Sequence, residues 1–182
     1  MFPGETEALV NITYIMALNF GLGEELNEAV MHSFVPNTFN IDRTATHRMV
    51  SNSFGGQRDI TNSTTNEVRY QHRGYGHYSE IVNLLDWCPL QAFWESEYDD
   101  FLNGIEYSNG DSDSRSLRMS KAAGEDLRPL FHVFGILPED ASALDAAYAA
   151  EGIVPSLALY DRLQDYLGLI PADNAAFVDY AL

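Results

Sequence analysis

The chain has 182 residues, 46% of them hydrophobic, with 27 acidic against 10 basic side chains and a formal net charge of −17. That length suits one domain with a core of its own, and that hydrophobic fraction excludes global disorder. The negative field repels phosphate backbones and anionic lipid, so neither nucleic-acid binding nor membrane binding is expected.

The single cysteine, Cys88, excludes an internal disulfide and a thiolate metal cluster. No apolar run approaches the length of a membrane-spanning helix, so membrane insertion is not expected. The opening Met1-Phe2-Pro3-Gly4-Glu5 has neither the basic start nor the apolar stretch of a signal peptide. Either the protein is cytoplasmic or the gene product begins further upstream; as part of a longer exported protein it would be secreted or held at the cell surface.

In chain order, Glu5 or Thr6 caps a first helix whose stripe is Leu9, Ile12, Ile15, Met16 and Phe20, ended by Gly21 and Gly23. A second covers Glu24 to Phe34, with Leu26, Val30 and Phe34 inward, and Asp42 caps a third running to about Ser51. Residues 51–76 are polar, glycine-containing and non-periodic, and read as one long loop, functional or mobile. Within it Glu67 to Tyr70 is at most a short strand. Helical spacing resumes over His77 to Leu85, and Pro89 opens a helix through Phe93, Trp94, Tyr98 and Phe101 to a stop at Gly104. After a turn at Asn109-Gly110-Asp111, helices run from Asp113 or Ser114 to Gly124 and from Asp126 to Phe134, closed by Gly135. Pro138 with Gly152, and Pro155 with Gly168, bracket two more, and Ala172 to Leu182 is a short last one. There is no internal repeat. The expected fold is mainly α, an irregular multi-helix bundle with one long polar loop, forming a single helical domain over residues 1–182.

Chemistry is sparse. None of His32, His47, His72, His77 and His132 is paired at the i, i+4 spacing of a zinc helix, and His-Glu-x-x-His is absent. His72 and His77, with Glu80, are the set a metal would draw together, but the intervening glycines leave their geometry open, and two solvated loop histidines is the plainer reading. His132 reads as a packed or capping residue near a helix C-terminus. Cys88 sits between Trp87 and Pro89, a setting for an inert thiol. There is no Gly-x-Ser-x-Gly elbow and no phosphate loop at Gly55-Gly56. The acidic pairs Glu24/Glu25, Asp99/Asp100 and Asp111/Asp113 read as solvated surface. Glu7 and Asn11, one turn apart and off the apolar stripe, read on pattern alone as the polar side of an amphipathic helix. Trp87, Phe93, Trp94, Tyr98 and Phe101 read first as core and second as an interaction face of a non-catalytic binding or scaffold module.

Three segments carry a family resemblance. Gly4-x-x-Glu7-x-x-x-Asn11 resembles the helix after the zinc motif in the enhancin-like, mucin-degrading metallopeptidases of the gluzincin type. Tyr78 to Leu90 resembles their junction of a leucine-rich helix with a Trp-containing turn. Most specific is the run from Asp113 to Ile136, which resembles the family's C-terminal ending and includes Ser120-Lys121-Ala122-Ala123-Gly124-Glu125-Asp126-Leu127-Arg128-Pro129-Leu130-Phe131-His132-Val133-Phe134-Gly135-Ile136. The likeness covers residues 1–138, a peptidase-like C-terminal subdomain, and leaves 139–182 as an extra helical extension.

The resemblance implies that Glu7 is the third zinc ligand, with Asn11 supporting it through a hydrogen bond. It implies that the 51–76 loop lines a substrate cleft where Tyr75 or His77 contacts substrate or its oxyanion. The family's His-Glu-x-x-His helix would precede Gly4. The expectation is therefore that zinc and a protein or glycoprotein substrate belong to a longer parent, that this chain alone is inactive and holds no cofactor, and that an apolar face left by the split pairs two copies as a homodimer.

Overall fold

The computed structural model describes residues 5–32, 40–43, 76–105 and 112–176, with side chains in the first helix from Ala8 onward. These residues are mainly helical, as the periodicity predicts. The expected helix from Asp42 to Ser51, the 51–76 loop with its strand, the 109–111 turn and the end of the last helix lie outside the described residues, apart from 41–43, which are helical, and Gly76.

Helix α1 (Glu5–Met16) buries Ala8, Ile12 and Ile15, with Leu9 and Met16 packed beside them. It runs into a π-helical turn, Ala17–Gly21. A wider turn shifts the phase of everything after it, and Phe20, expected on the apolar stripe, is 64% exposed. In the same turn Asn19 accepts a hydrogen bond from Trp87 Nε1 at 2.7 Å and donates to the Glu24 carbonyl at 2.6 Å. Helix α2 (Leu26–His32) buries Ala29 and Val30.

Helix α3 (Gly76–Leu85) is enclosed over its first seven residues, Gly76 to Val82. Asp86 then takes a left-handed φ of 64° and its carboxylate accepts from Trp87 N at 2.7 Å, a local bond that favours an Asp in this conformation. Helix α4 (Cys88–Leu102) has Pro89 in its first turn, as expected. It ends in a Schellman motif: Ile105 N donates to Asp100 O at 3.0 Å and Gly104 N to Phe101 O at 3.1 Å, with Gly104 at φ 69°.

Helix α5 (Ser112–Ala123) stops at Gly124. Glu125–Asp126, expected to begin the next helix in part, instead form β1, paired in parallel with β2 (Val154–Pro155). Two residues have no periodicity to read, which is why the ladder is invisible in the sequence. Helix α6 (Arg128–Val133) closes with a second Schellman motif through Gly135 and Ile136. Helix α7 (Ala141–Glu151) is capped by Asp140, which accepts from Ala143 N at 3.0 Å, and ends at left-handed Gly152. Helix α8 (Leu157–Leu169) is capped by Ser156 and passes through Gly168 by one residue.

The core joins Ile12, Ile15, Tyr78, Ile81, Trp87, Phe93, Met119, Leu127, Leu130, Phe131 and Phe134 with Leu159 and Tyr166 of α8. Helix α8 is thus seated on the same apolar interior. The start of α7 and its Tyr148 are tied to α5: Asp113 accepts from Glu139 N (2.9 Å) and Asp140 N (2.8 Å), and Tyr148 donates to Ser116 O at 2.9 Å.

Candidate functional site

Chemistry-bearing side chains gather around α3. Its sequence, Gly-His-Tyr-Ser-Glu-Ile-Val, places two polar residues, His77 and Glu80, among neighbours that the core needs. Both are fully buried. A buried carboxylate persists only if it is paired, and Glu80 is met by Arg162 of α8 through Nη2–Oε1 at 2.8 Å and Nε–Oε2 at 3.1 Å. Asn83 Nδ2 also reaches Glu80 Oε2, at 3.3 Å, and Arg162 holds Asp42 with its Nη2. The guanidinium lies over the Tyr166 ring, 4.7 Å from its centroid. Burial alone would lower the Arg162 pKa, but the Glu80 hydrogen bonds and charge more than offset it and hold the arginine charged. Tyr166 is pushed well above its ordinary value by burial first and the Glu80 charge second.

A second arginine near α3 is buried. Arg115, 5% exposed, bonds Glu97 with Nη1 and the Tyr78 hydroxyl with Nη2 at 3.1 Å, and stacks on Phe93 at 4.6 Å. His77 packs against Tyr78 (centroids 4.1 Å apart) and meets Phe131 edge-on at 5.8 Å. Burial, and then the Arg115 charge, lower its pKa to about 3, so the ring is neutral across the physiological range.

A third polar set joins α5 to α7. Ser120 Oγ and the Tyr148 hydroxyl lie 2.8 Å apart, and Leu127 N donates to Ser120 Oγ at 3.1 Å. Burial raises the Tyr148 pKa to about 12. On the surface a groove of about 570 Å³ runs between α4 and α5, lined by Ser96, Asp100, Leu117, Arg118 and Lys121.

The residues singled out in the sequence fall differently. Glu7 lies in α1, but its side chain is outside those described; Asn11, one turn on, is half-buried. Tyr75 and His72 lie outside the described residues. His77 is enclosed in α3, so the solvated-loop reading of that histidine is replaced: the helix begins at Gly76 and turns the imidazole into the core. Glu80 is committed to Arg162 and not open to a metal. His132 reaches solvent in the last turn of α6; partial desolvation by its neighbours and then the Arg128 charge lower its pKa. Cys88 is exposed at the start of α4, not packed away as its neighbours suggest. Of the aromatic set, Trp87 and Phe93 are core, Trp94 is half-buried, and Tyr98 and Phe101 face solvent.

Sequence reasoning missed the Glu80–Arg162 pair. Its signal was present: Arg162 is the only basic residue between 139 and 182, and Glu80 interrupts an apolar run. Among the described residues no group of three or more His, Cys, Asp or Glu stands where it would hold a metal ion. Compared with protein-family models, with curated proteins and with solved structures, the chain matches none.

Proposed function

We propose that this chain is the C-terminal helical subdomain of a zinc-metallopeptidase-like protein acting on proteins or glycoproteins, inactive by itself. The observation that carries the reading is how the most specific of the family-like segments behaves. Gly124 and Gly135 take the left-handed conformations that their motif positions demand, at φ 71° and 81°. Between and beside them Leu127, Leu130, Phe131, Phe134 and Ile136 are all core. This combination of glycine stops and core positions is what the resemblance calls for in a shared fold, although left-handed glycines also end other helices of this chain.

Catalytic zinc takes three protein ligands and leaves one position open. The described residues do not supply such a seat: Glu80 is neutralised by Arg162, and His77 is sealed among aromatic rings. In this proposal Glu7 is one ligand, Asn11 its support and the remaining ligands come from a longer product; no catalytic step is assigned to the described residues.

The experiment is expression of the product that includes the coding sequence directly upstream. An in-frame His-Glu-x-x-His and chelator-sensitive cleavage of a mucin-type glycoprotein, abolished by Glu7→Gln, are expected. A stop codon in place of that motif overturns the reading. It favours the second one, a non-catalytic binding or scaffold module, which the solvent-facing Tyr98 and Phe101 on α4 support.

A further inference from the structure

Helix α8 has two unlike faces. Leu159, Arg162 and Tyr166, at i, i+3 and i+7, go inward to the core and to Glu80. On the opposite side Leu157, Tyr160, Gln164 and Leu167 follow at spacings of three, four and three, the seam of a helix that packs against another helix. Among the described residues nothing covers that seam: Leu157 is 79% exposed and Tyr160 and Leu167 are 58% exposed each, as is Val154 just ahead of the helix. Single exposed apolar residues need no explanation, but several aligned on one helix face do.

Charge selects what covers it. Between residues 139 and 182 there are eight acids and one base, and that base, Arg162, is spent inside on Glu80 and Asp42. Asp161 and Asp165, beside the seam, are exposed. A second copy would set these acids against each other on a chain already carrying −17, and an anionic membrane would be repelled.

We propose that the outward face of α8 is a docking surface for a basic amphipathic helix of a partner protein. Such a helix lays its apolar stripe along Leu157, Tyr160 and Leu167 and sets Lys or Arg against Asp161 and Asp165.

The test uses the full chain and a fluorescently labelled helical peptide with leucine at heptad a and d positions and lysine elsewhere, followed by anisotropy. Binding with a Kd on the order of 10 μM is expected, weakened as salt screens the aspartates. The scrambled isomer, with equal charge but no apolar stripe, is expected to bind about tenfold more weakly, as is the labelled peptide to the doubly substituted Leu157→Ser/Leu167→Ser chain. Phe20→Ser/Leu22→Ser, which alters exposed apolar residues elsewhere, leaves binding unchanged. All four substituted side chains are exposed, so circular dichroism should show intact folds. No binding, or binding indifferent to scrambling or to Leu157→Ser/Leu167→Ser, overturns the proposal. So does a concentration-dependent dimer in sedimentation that Leu157→Ser/Leu167→Ser abolishes, which would name a second copy as the occupant.

Discussion

Arg162 of α8 grips Glu80 of α3 with two nitrogens across 82 residues of sequence, at 2.8 and 3.1 Å, and the carboxylate it holds is fully buried. Removing one partner of such a pair leaves an uncompensated charge in the interior, which costs far more than the pair itself contributes. Arg162→Leu is therefore expected to lower unfolding stability by about 3 kcal/mol, while Glu80→Leu/Arg162→Leu together recover most of that loss. Urea denaturation of the two single variants and the double one checks it. Additive losses would mean that the pair is not coupled.

Gly124 stops α5 at φ 71°, and among the described residues beyond its chain neighbours no atom lies within 4 Å of where a Cβ would stand. The cost of a side chain there is purely conformational. Gly124→Ala is expected to destabilise by about 1 kcal/mol, and Gly124→Asn by less, because Asn tolerates the left-handed region. Thermal melts of both variants give the order directly.

His77 sets a pH dependence with a definite sign. Unfolded, its imidazole takes up a proton near the ordinary value of 6.5; folded, only near 3. Between those values the unfolded state binds more protons, so this contribution is complete above pH 6.5 and is lost as pH falls toward 3, by up to about 1.4 kcal/mol per pH unit. Denaturation at a series of pH values should show the native chain losing stability faster in that window than His77→Phe, which packs the same space without a titrating group. Equal slopes would place the histidine in a wetter setting than the core of α3.

Asn19 and Trp87 meet 68 residues apart, with the indole N–H donating at 2.7 Å. Asn19→Ala leaves that buried donor without its acceptor and is expected to cost about 2 kcal/mol. A shift in Trp87 fluorescence on the same substitution would report that the contact itself has changed.

Much of the helix plan was legible because its punctuation is chemical. Pro89 in a first turn, Gly104 and Gly135 in Schellman motifs and Gly152 after α7 each act where their backbone preferences say they should. What escaped was whatever depends on partners far along the chain. The β1–β2 ladder is too short to have a period, and the π turn at Ala17–Gly21 rotates Phe20 off a stripe that a regular helix would keep. His77 carries no local sign of burial, and Glu80 only its place in an apolar run; their surroundings are built by α4, α6 and α8. The candidate zinc ligand Glu7 was reached only through resemblance, since its spacing to Asn11 is what any polar helix face provides.

The most direct measurement of the central claim is calorimetric zinc titration of two proteins, the 182-residue chain and the product extended upstream. The account predicts one tightly held zinc per extended chain, lost with Glu7→Gln, and no comparable site on the 182 residues alone. Tight zinc binding by the short chain, or an extended product whose affinity ignores Glu7→Gln, would contradict it.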